Sequence, residues 1–265
     1  MTTEEIIKAH YENYDEDARL RTNHGMVEFV TTMHYVEKYL KNGDRILEIG
    51  AGTGRYSHAI AQKGYAVDAV ELSEHNIEVF NRNTIDGERI CVRQGNALDL
   101  SFIEDNSYDI TLLLGPMYHL FTVDEQRKAL IEALRVTKNG GKIFVAYCGN
   151  DATAVQFLFG KHRVNCEPYD KLVDRETFKL NSIPQEIICL HRKEDIDFLM
   201  KGLNAERLHF VGTDMATQYI REDVNEMDEE EYSLYLKYVL ATCERRDLVG
   251  FSNHLLDIYI KKDGG

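Results

Sequence analysis

The sequence predicts an α/β fold, a doubly wound, mostly parallel sheet of seven strands. Three observations predict it. Apolar runs of strand length alternate with helix-compatible runs through the middle of the chain, the pattern of βαβ units. Between the first such run and the first helix lies Gly50-Ala51-Gly52-Thr53-Gly54, a turn built almost without Cβ atoms. The second apolar run, Ala66 to Val70, ends in an acid, Glu71.

Taken in order, residues 3 to 40 read as helices, with Met26, Phe29, Val30, Met33 and Leu40 near helical spacing. Asn42-Gly43 is a turn. Ile46-Leu47-Glu48-Ile49 suits a buried first strand. The helix from Arg55 to Lys63 stops at Gly64, which suits a position just past a helix end. Ser73 is placed to cap a third helix running through Asn81. Arg89 to Arg93 reads as strand three and Tyr108 to Leu114 as strand four. Thr122 and Glu125 fit a capping box, opening a helix that runs to about Lys138. Asn139-Gly140-Gly141 ends that helix, and Lys142 to Cys148 is strand five. Residues 150 to 205 are less regular, with a strand-like Glu186 to Leu190 and a helix-like Lys193 to Gly202, and read as an insertion. Arg207 to Val211 is strand six. Tyr232, Tyr235, Leu236, Val239 and Cys243 form an amphipathic helix face, and His254 to Ile260 is strand seven.

Composition bounds the function. A chain of 265 residues fits one large domain or a domain with an insertion. Apolar and charged fractions of 43% and 29% are those of an ordinary soluble protein. No apolar run reaches the roughly 18 residues of a membrane span, and no export signal opens the chain, so a soluble, cytoplasmic protein without membrane contact is expected. Five cysteines lie scattered, which suits a reducing compartment. Cys91 and Cys148 fall in strand-like runs and read as small core hydrophobes. No Cys/His cluster has zinc spacing, and no metal is expected. A net charge of −14 without a basic stripe argues against nucleic acid as a partner and suits a neutral or cationic small molecule.

The β-turn-α-β unit from Asp44 to Ser73 suits a nucleoside. Glycines let a backbone approach a ligand closely, and a helix start points unpaired N–H groups into the crevice. An acid after the second strand accepts from ribose hydroxyls. A nicotinamide dinucleotide site uses the same logic with spacing G-x-G-x-x-G/A. Here the third glycine comes one residue early and Arg55 fills the fingerprint's last place, which speaks against a nicotinamide oxidoreductase.

The G-x-G-x-G turn after a strand ending near Glu48 resembles motif I of the class I S-adenosylmethionine-dependent methyltransferases. Glu71 matches that family's ribose-binding acid. Gly95-Asn96-Ala97-Leu98 resembles its adenine motif, usually Gly-Asp-Ala, with Asn96 in the acid's place. An amide oxygen can still accept from the adenine amino group, and Ala97 would lend its backbone N–H. Leu134 to Lys142 is similar to the family's Leu-Arg-Val-Leu-Lys-Pro-Gly-Gly stretch. The resemblance covers residues 44 to 148. It implies an antiparallel last strand, an N-terminal helical cap, and S-adenosylmethionine as cofactor with S-adenosylhomocysteine as product. It also implies a single domain over 1–265: cap 1–43, cofactor-binding half 44–149, insertion or lid 150–205, and C-terminal strands and helix 206–265. The implied cofactor contacts are Tyr14, Arg19, Glu48, Gly50, Ala51, Gly52, Thr53, Gly54, Glu71, Leu72, Asn96, Ala97, Leu98 and Leu114. Tyr14 is as well explained by packing of the cap.

Methyl transfer to an acceptor needs a positioned nucleophile and, where the acceptor carries a proton, a base. Gly115-Pro116-Met117-Tyr118-His119 follows strand four, at the crevice edge. Family members acting on nucleobase or glutamine amines read Asp/Asn-Pro-Pro-aromatic here, so that chemistry is disfavoured. His119 and Tyr118 are the candidate catalytic residues. His119 is either a general base or a histidine tying the loop to the cap. Tyr118 either faces the sulfonium and substrate or packs. The function expected is methyl transfer to a small molecule by a monomer or homodimer. The alternatives are a protein or tRNA acceptor, or a non-catalytic cofactor-binding module.

Overall fold

The computed structural model describes residues 3, 5–7 and 22–263. Tyr14 and Arg19 lie outside the described residues.

Strands β1 (Arg45–Ile49), β2 (Ala66–Glu71), β3 (Arg89–Gln94), β4 (Tyr108–Leu113) and β5 (Thr137–Gly149) run parallel in the order β3-β2-β1-β4-β5. Strand β8 (His254–Lys261) runs antiparallel to both β5 and β7 (Ala205–Gly212), extending the sheet as β5-β8-β7. Chain order reverses at β1, between β2 and β4. The carboxyl ends of β1 and β4 therefore border a crevice, the position ligands take in open α/β sheets.

Alternation along the central strands splits the core into two layers. Leu47, Leu113 and Val145 join Ala129, Leu130 and Ala133 of α4 (Val123–Val136) and Ile196 and Leu199 of α7 (Lys193–Met200). Their neighbours Ile46, Leu112 and Phe144 join Val27 and Val36 of α1 (Asn23–Tyr39), Ile60 of α2 (Arg55–Ala61) and Val239 of α9 (Glu229–Thr242). Near-continuous apolar strands are what a sheet buried on both faces requires.

The caps form where the sequence places them. Ser73 Oγ accepts from Asn76 N at 3.3 Å and opens α3 (Glu74–Asn83). Thr122 and Glu125 make a reciprocal capping box at the start of α4.

Several expectations are corrected. The sheet has an eighth strand, β6 (Leu190–His191), which pairs with β5 through two residues. Before it, Pro184–Glu186 is a 3-10 turn and Ile187 sits at φ +67°, so the extended run expected from Glu186 is broken. Helix α4 ends at Val136, because Thr137 turns into β5 with its hydroxyl paired to Thr111 at 2.6 Å. The segment after β5 folds as α5 (Asn150–Thr153), a π-helical turn (Ala154–Phe159) and α6 (Tyr169–Leu172), and α8 (Arg221–Glu226) precedes α9. Cys91 is exposed, because β3 is an edge strand. On α1 only Met33 of the expected apolar face is buried. The buried set is Gly25, Val27, Thr31, Thr32, Met33, Tyr35 and Val36, since α1 also packs on α9, just beyond whose end the Tyr35 hydroxyl donates to Glu244 at 2.8 Å. Among the described residues no helix is long and apolar enough to cross a membrane.

Gly50 fixes the crevice wall. Its φ is +73°, and a Cβ there would lie 2.5 Å from Pro116 Cδ. Gly50→Ala should therefore cost about 1–3 kcal/mol in urea unfolding. Gly43→Ala has a similar φ of +88° but open space around the added carbon, and should cost less. Equal losses would show that the Pro116 contact is not limiting.

Candidate functional site

The turn between β1 and α2 is held by β2. Gly50 N and Ala51 N both donate to Val70 O, at 2.7 and 3.2 Å. Gly52 sits at φ +54° with nothing within 4 Å of where its Cβ would be, so its backbone faces open space. Its N–H donates to Glu71 Oε2 at 2.8 Å. Glu71 Oε1 accepts from Ser73 N at 2.9 Å and Asn76 Nδ2 at 3.2 Å. A carboxylate has about four acceptor sites, so this buried acid keeps capacity for a ligand's hydroxyls.

These groups line a cavity of about 460 Å³ at the carboxyl ends of β1, β2 and β4. Glu48, Gly50, Ala51, Gly52, Thr53, Glu71, Leu72, Asn96, Ala97, Leu98, Leu114, Tyr118 and His119 all reach it. Gly54 does not. Its φ is +91°, and a Cβ there would lie 2.5 Å from the Phe80 ring, so this glycine serves helix packing rather than the cavity wall.

Glu48 points from β1 toward α2, on the same strand face as Ile46. It is buried, and the Ser57 hydroxyl donates to its Oε2. Burial pushes its carboxyl up to about 8; the Ser57 hydrogen bonds oppose the rise and the nearby Glu71 charge adds to it.

Asn96 forms a local turn: its Oδ1 accepts from Leu98 N at 2.9 Å.

The loop after β4 is stitched to the insertion. His119 Nδ1 donates to Ile187 O at 2.9 Å, and Cys189 N donates to Tyr118 O at 2.6 Å. A carbonyl only accepts, so Nδ1 carries the proton and Nε2 of a neutral His119 is the acceptor. His119 thus ties the loop to the insertion, and it lines the cavity as well.

Sequence reasoning missed Glu28, Arg55, Tyr56, Asn76 and Glu125, which also line the cavity. Arg55 stacks over the Phe29 ring at 4.6 Å and reaches Met26 Sδ. Among the described lining residues the carboxylic acids Glu28, Glu48, Glu71 and Glu125 outnumber the one arginine, Arg55. Glu28 was concealed within a helix, where one acid among apolar residues looks like a solvated position. Asn76 had a signal, since an amide in the first turn after Ser73 falls back onto Glu71. Beside the cavity lies a further pair. His254 Nδ1 is 2.9 Å from Asp214 Oδ2 and 3.4 Å from Glu28, and its ring is 6.2 Å from that of Tyr118. Asp214 is fully buried. Burial raises its carboxyl, but His254 and the Ser252 hydroxyl at 2.5 Å outweigh this and hold it below the usual range.

Among the described residues no group of three or more His, Cys, Asp or Glu is placed to hold a metal ion. The cavity does fit a cationic sulfur nucleoside. A Cβ-free turn, a buried acid with spare acceptor capacity and a surplus of carboxylic acids among the described lining residues match a backbone-held chain, a ribose and a positive charge.

Residues 46–141 match a family described as methyltransferase domain. Demethylmenaquinone methyltransferase of Clavibacter sepedonicus is 40% identical over 103 residues, 39% of this chain and 40% of that protein. The chain thus spans about two-fifths of the length of the first curated relatives it matches. An rRNA adenine N-6-methyltransferase of Limosilactobacillus reuteri is 26% identical over 239 residues, 80% of this chain and 94% of that protein. In fold, the chain is similar to a S-adenosylmethionine-dependent methyltransferase of Thermotoga maritima, described as a possible histamine N-methyltransferase. The TM-score is 0.60 at 20% identity, over 98% of this chain and all of that one.

Glu48 yields a pH prediction. Its folded value of about 8 lies above the unfolded 4.5, so between these the folded chain keeps a proton the unfolded chain has lost. Its contribution to stability is then fully present at low pH and falls as pH rises from about 4.5 to 8. Urea unfolding at pH 5 and pH 8 should show wild type losing more than Glu48→Gln, by on the order of a few kcal/mol. Parallel losses would mean that Glu48 is ionised throughout.

Proposed function

We propose that this chain, whose residues 46–141 match a methyltransferase domain, transfers a methyl group from S-adenosylmethionine to a small-molecule acceptor. The observation that carries the reading is the Gly52–Glu71 contact, which sets the turn and the acid in one cavity with the loop after β4.

In this reading Glu71 accepts from the ribose hydroxyls, Asn96, Ala97 and Leu98 border the adenine, and Gly50 to Thr53 with Glu48 receive the amino-acid end. The bound cofactor supplies a methyl group on a positive sulfur, activated for displacement. The chain's task is to align the acceptor and exclude water. Tyr118 and Glu28 border the acceptor side. His119 Nε2 takes the acceptor's N–H or O–H proton as the new bond to the methyl carbon forms. The electron pair of the old bond stays with the sulfur. Its Nδ1 bond to Ile187 O holds the imidazole in the accepting tautomer.

The small-molecule reading is supported by relatives named for demethylmenaquinone methylation and for ubiquinone biosynthesis O-methylation. The rRNA adenine methyltransferase relative supports a second reading, an RNA acceptor, since it matches nearly its whole length. The charge of −14 opposes it, as does Gly115 in the post-β4 loop, where relatives of this family that methylate base amines carry Asp or Asn.

Methyl-labelled cofactor presented with phenols, quinols, amines and bulk RNA should label a small acceptor and leave RNA unlabelled. Label in RNA alone would favour the second reading, and bound S-adenosylhomocysteine with no turnover would favour a binding module. Once an acceptor is known, His119→Ala should lower kcat by about 10²–10⁴ while cofactor affinity holds. A lost fold would instead assign His119 to tying the loop. Glu71→Ala should weaken S-adenosylhomocysteine binding by about 1–3 kcal/mol in titration calorimetry; unchanged affinity would remove Glu71 from the ribose site.

A further inference from the structure

We infer that Gln126 is a positioning residue for His119: through Leu120 and Cys189 it fixes the loop after β4, so that the imidazole keeps a single tautomer. The inference rests on the reading of His119 as the base, and it concerns a side chain outside the cavity lining.

Gln126 lies in the first turn of α4 and is buried. Its Nε2 donates to Leu120 O at 2.7 Å and to Cys189 Sγ at 3.3 Å. A carbonyl only accepts, so the amide nitrogen must face Leu120; a flipped amide would set oxygen against oxygen. Both protons of Nε2 therefore have takers, one in the loop and one in the insertion. The backbone of Cys189 turns back to the same loop, its N–H donating to Tyr118 O at 2.6 Å. The carbonyls of both neighbours of His119 are thus held from outside the loop. The ring supplies the third point, through Nδ1 and Ile187 O. Two backbone points and one ring point fix both the place of the imidazole and its plane.

The insertion is bent at this contact. Ile187 takes φ +67° and ψ −38°, and Ile188 N donates to Glu186 O at 2.7 Å, a bond from residue i+2 to residue i. That is a γ-turn of the rare, strained hand, least expected of a β-branched residue. Such a backbone persists only where its surroundings over-determine it. The carbonyl of this turn is the one that His119 Nδ1–H meets. If Gln126 only filled space, a methionine of similar length would serve as well. What methionine lacks is the donor: Leu120 O would lose its partner, and the loop its side-chain link to Cys189.

The test is nitrogen NMR of the His119 imidazole in wild type and Gln126→Met, with and without S-adenosylhomocysteine, the signal being identified by its loss in His119→Gln. Wild type should show the Nδ1–H tautomer alone. Gln126→Met should raise the Nε2–H tautomer to about a tenth of the population or more and, once an acceptor is known, lower kcat by about tenfold or more while the KM for cofactor holds within about twofold. A role in packing alone would lower the melting temperature and leave the tautomer where it was. If Gln126→Met does not fold, Gln126→Asn, which keeps the amide but shortens its reach, makes the same comparison. An unmoved His119 signal in a folded variant overturns the inference and leaves the base reading intact. A shifted tautomer with unchanged kcat, or turnover that survives His119→Ala, overturns the base reading and the inference with it.

Discussion

The hydrogen bond from Gly52 N–H to Glu71 joins two structures that the chain makes nineteen residues apart. One is a turn that only glycine builds, since Gly50 and Gly52 both take positive φ. The other is the end of β2, where an acid would be costly to bury without partners. Gly52, Ser73 and Asn76 supply those partners, each from the start of a helix or the turn before one. The turn is thereby locked to the sheet, and the acid is fixed in the wall of the crevice. Glu48, the Asn96 turn and the loop after β4 line the same cavity as that corner.

The second half of the sheet serves a different purpose. The antiparallel pairing of β8 brings His254 beside Cys148 at the carboxyl end of β5, and Asp214 follows the end of β7. Ser252, the buried Asp214 and the partly buried His254 form a hydrogen-bonded network that meets α1 at Glu28. The insertion is joined to the loop after β4 through Ile187 and Cys189. Part of the cavity lining is thus set by motif residues, and part by residues such as Glu28 and Tyr118 that lie in no cofactor motif. That division explains why the cofactor is easier to assign than the acceptor.

The same division governs what the sequence made legible. Gly50, Gly52 and Glu71 were legible because a turn, a helix start and an acid at a fixed distance are local features. The parallel strands were legible because burial on both faces writes continuous apolar runs. The Asp214–His254 pair was not, because its members lie forty residues apart and meet only through antiparallel pairing. The resemblance implies a cofactor contact for Gly54, yet the Phe80 ring packs where its Cβ would lie. Cys91 was placed in the core from its apolar neighbours, but edge position is a property of the whole sheet. The two residues of β6 are too few to carry periodicity.

Thermal unfolding with S-adenosylhomocysteine, S-adenosylmethionine and NADH, each in excess, tests the central claim most directly. A ligand at about 100 times its dissociation constant stabilises by roughly 2.7 kcal/mol. For a chain of this size that is a rise of roughly 5–10 °C. The account predicts that rise with both sulfur nucleosides and none with NADH. A rise with NADH alone, or none with either sulfur nucleoside, would contradict it.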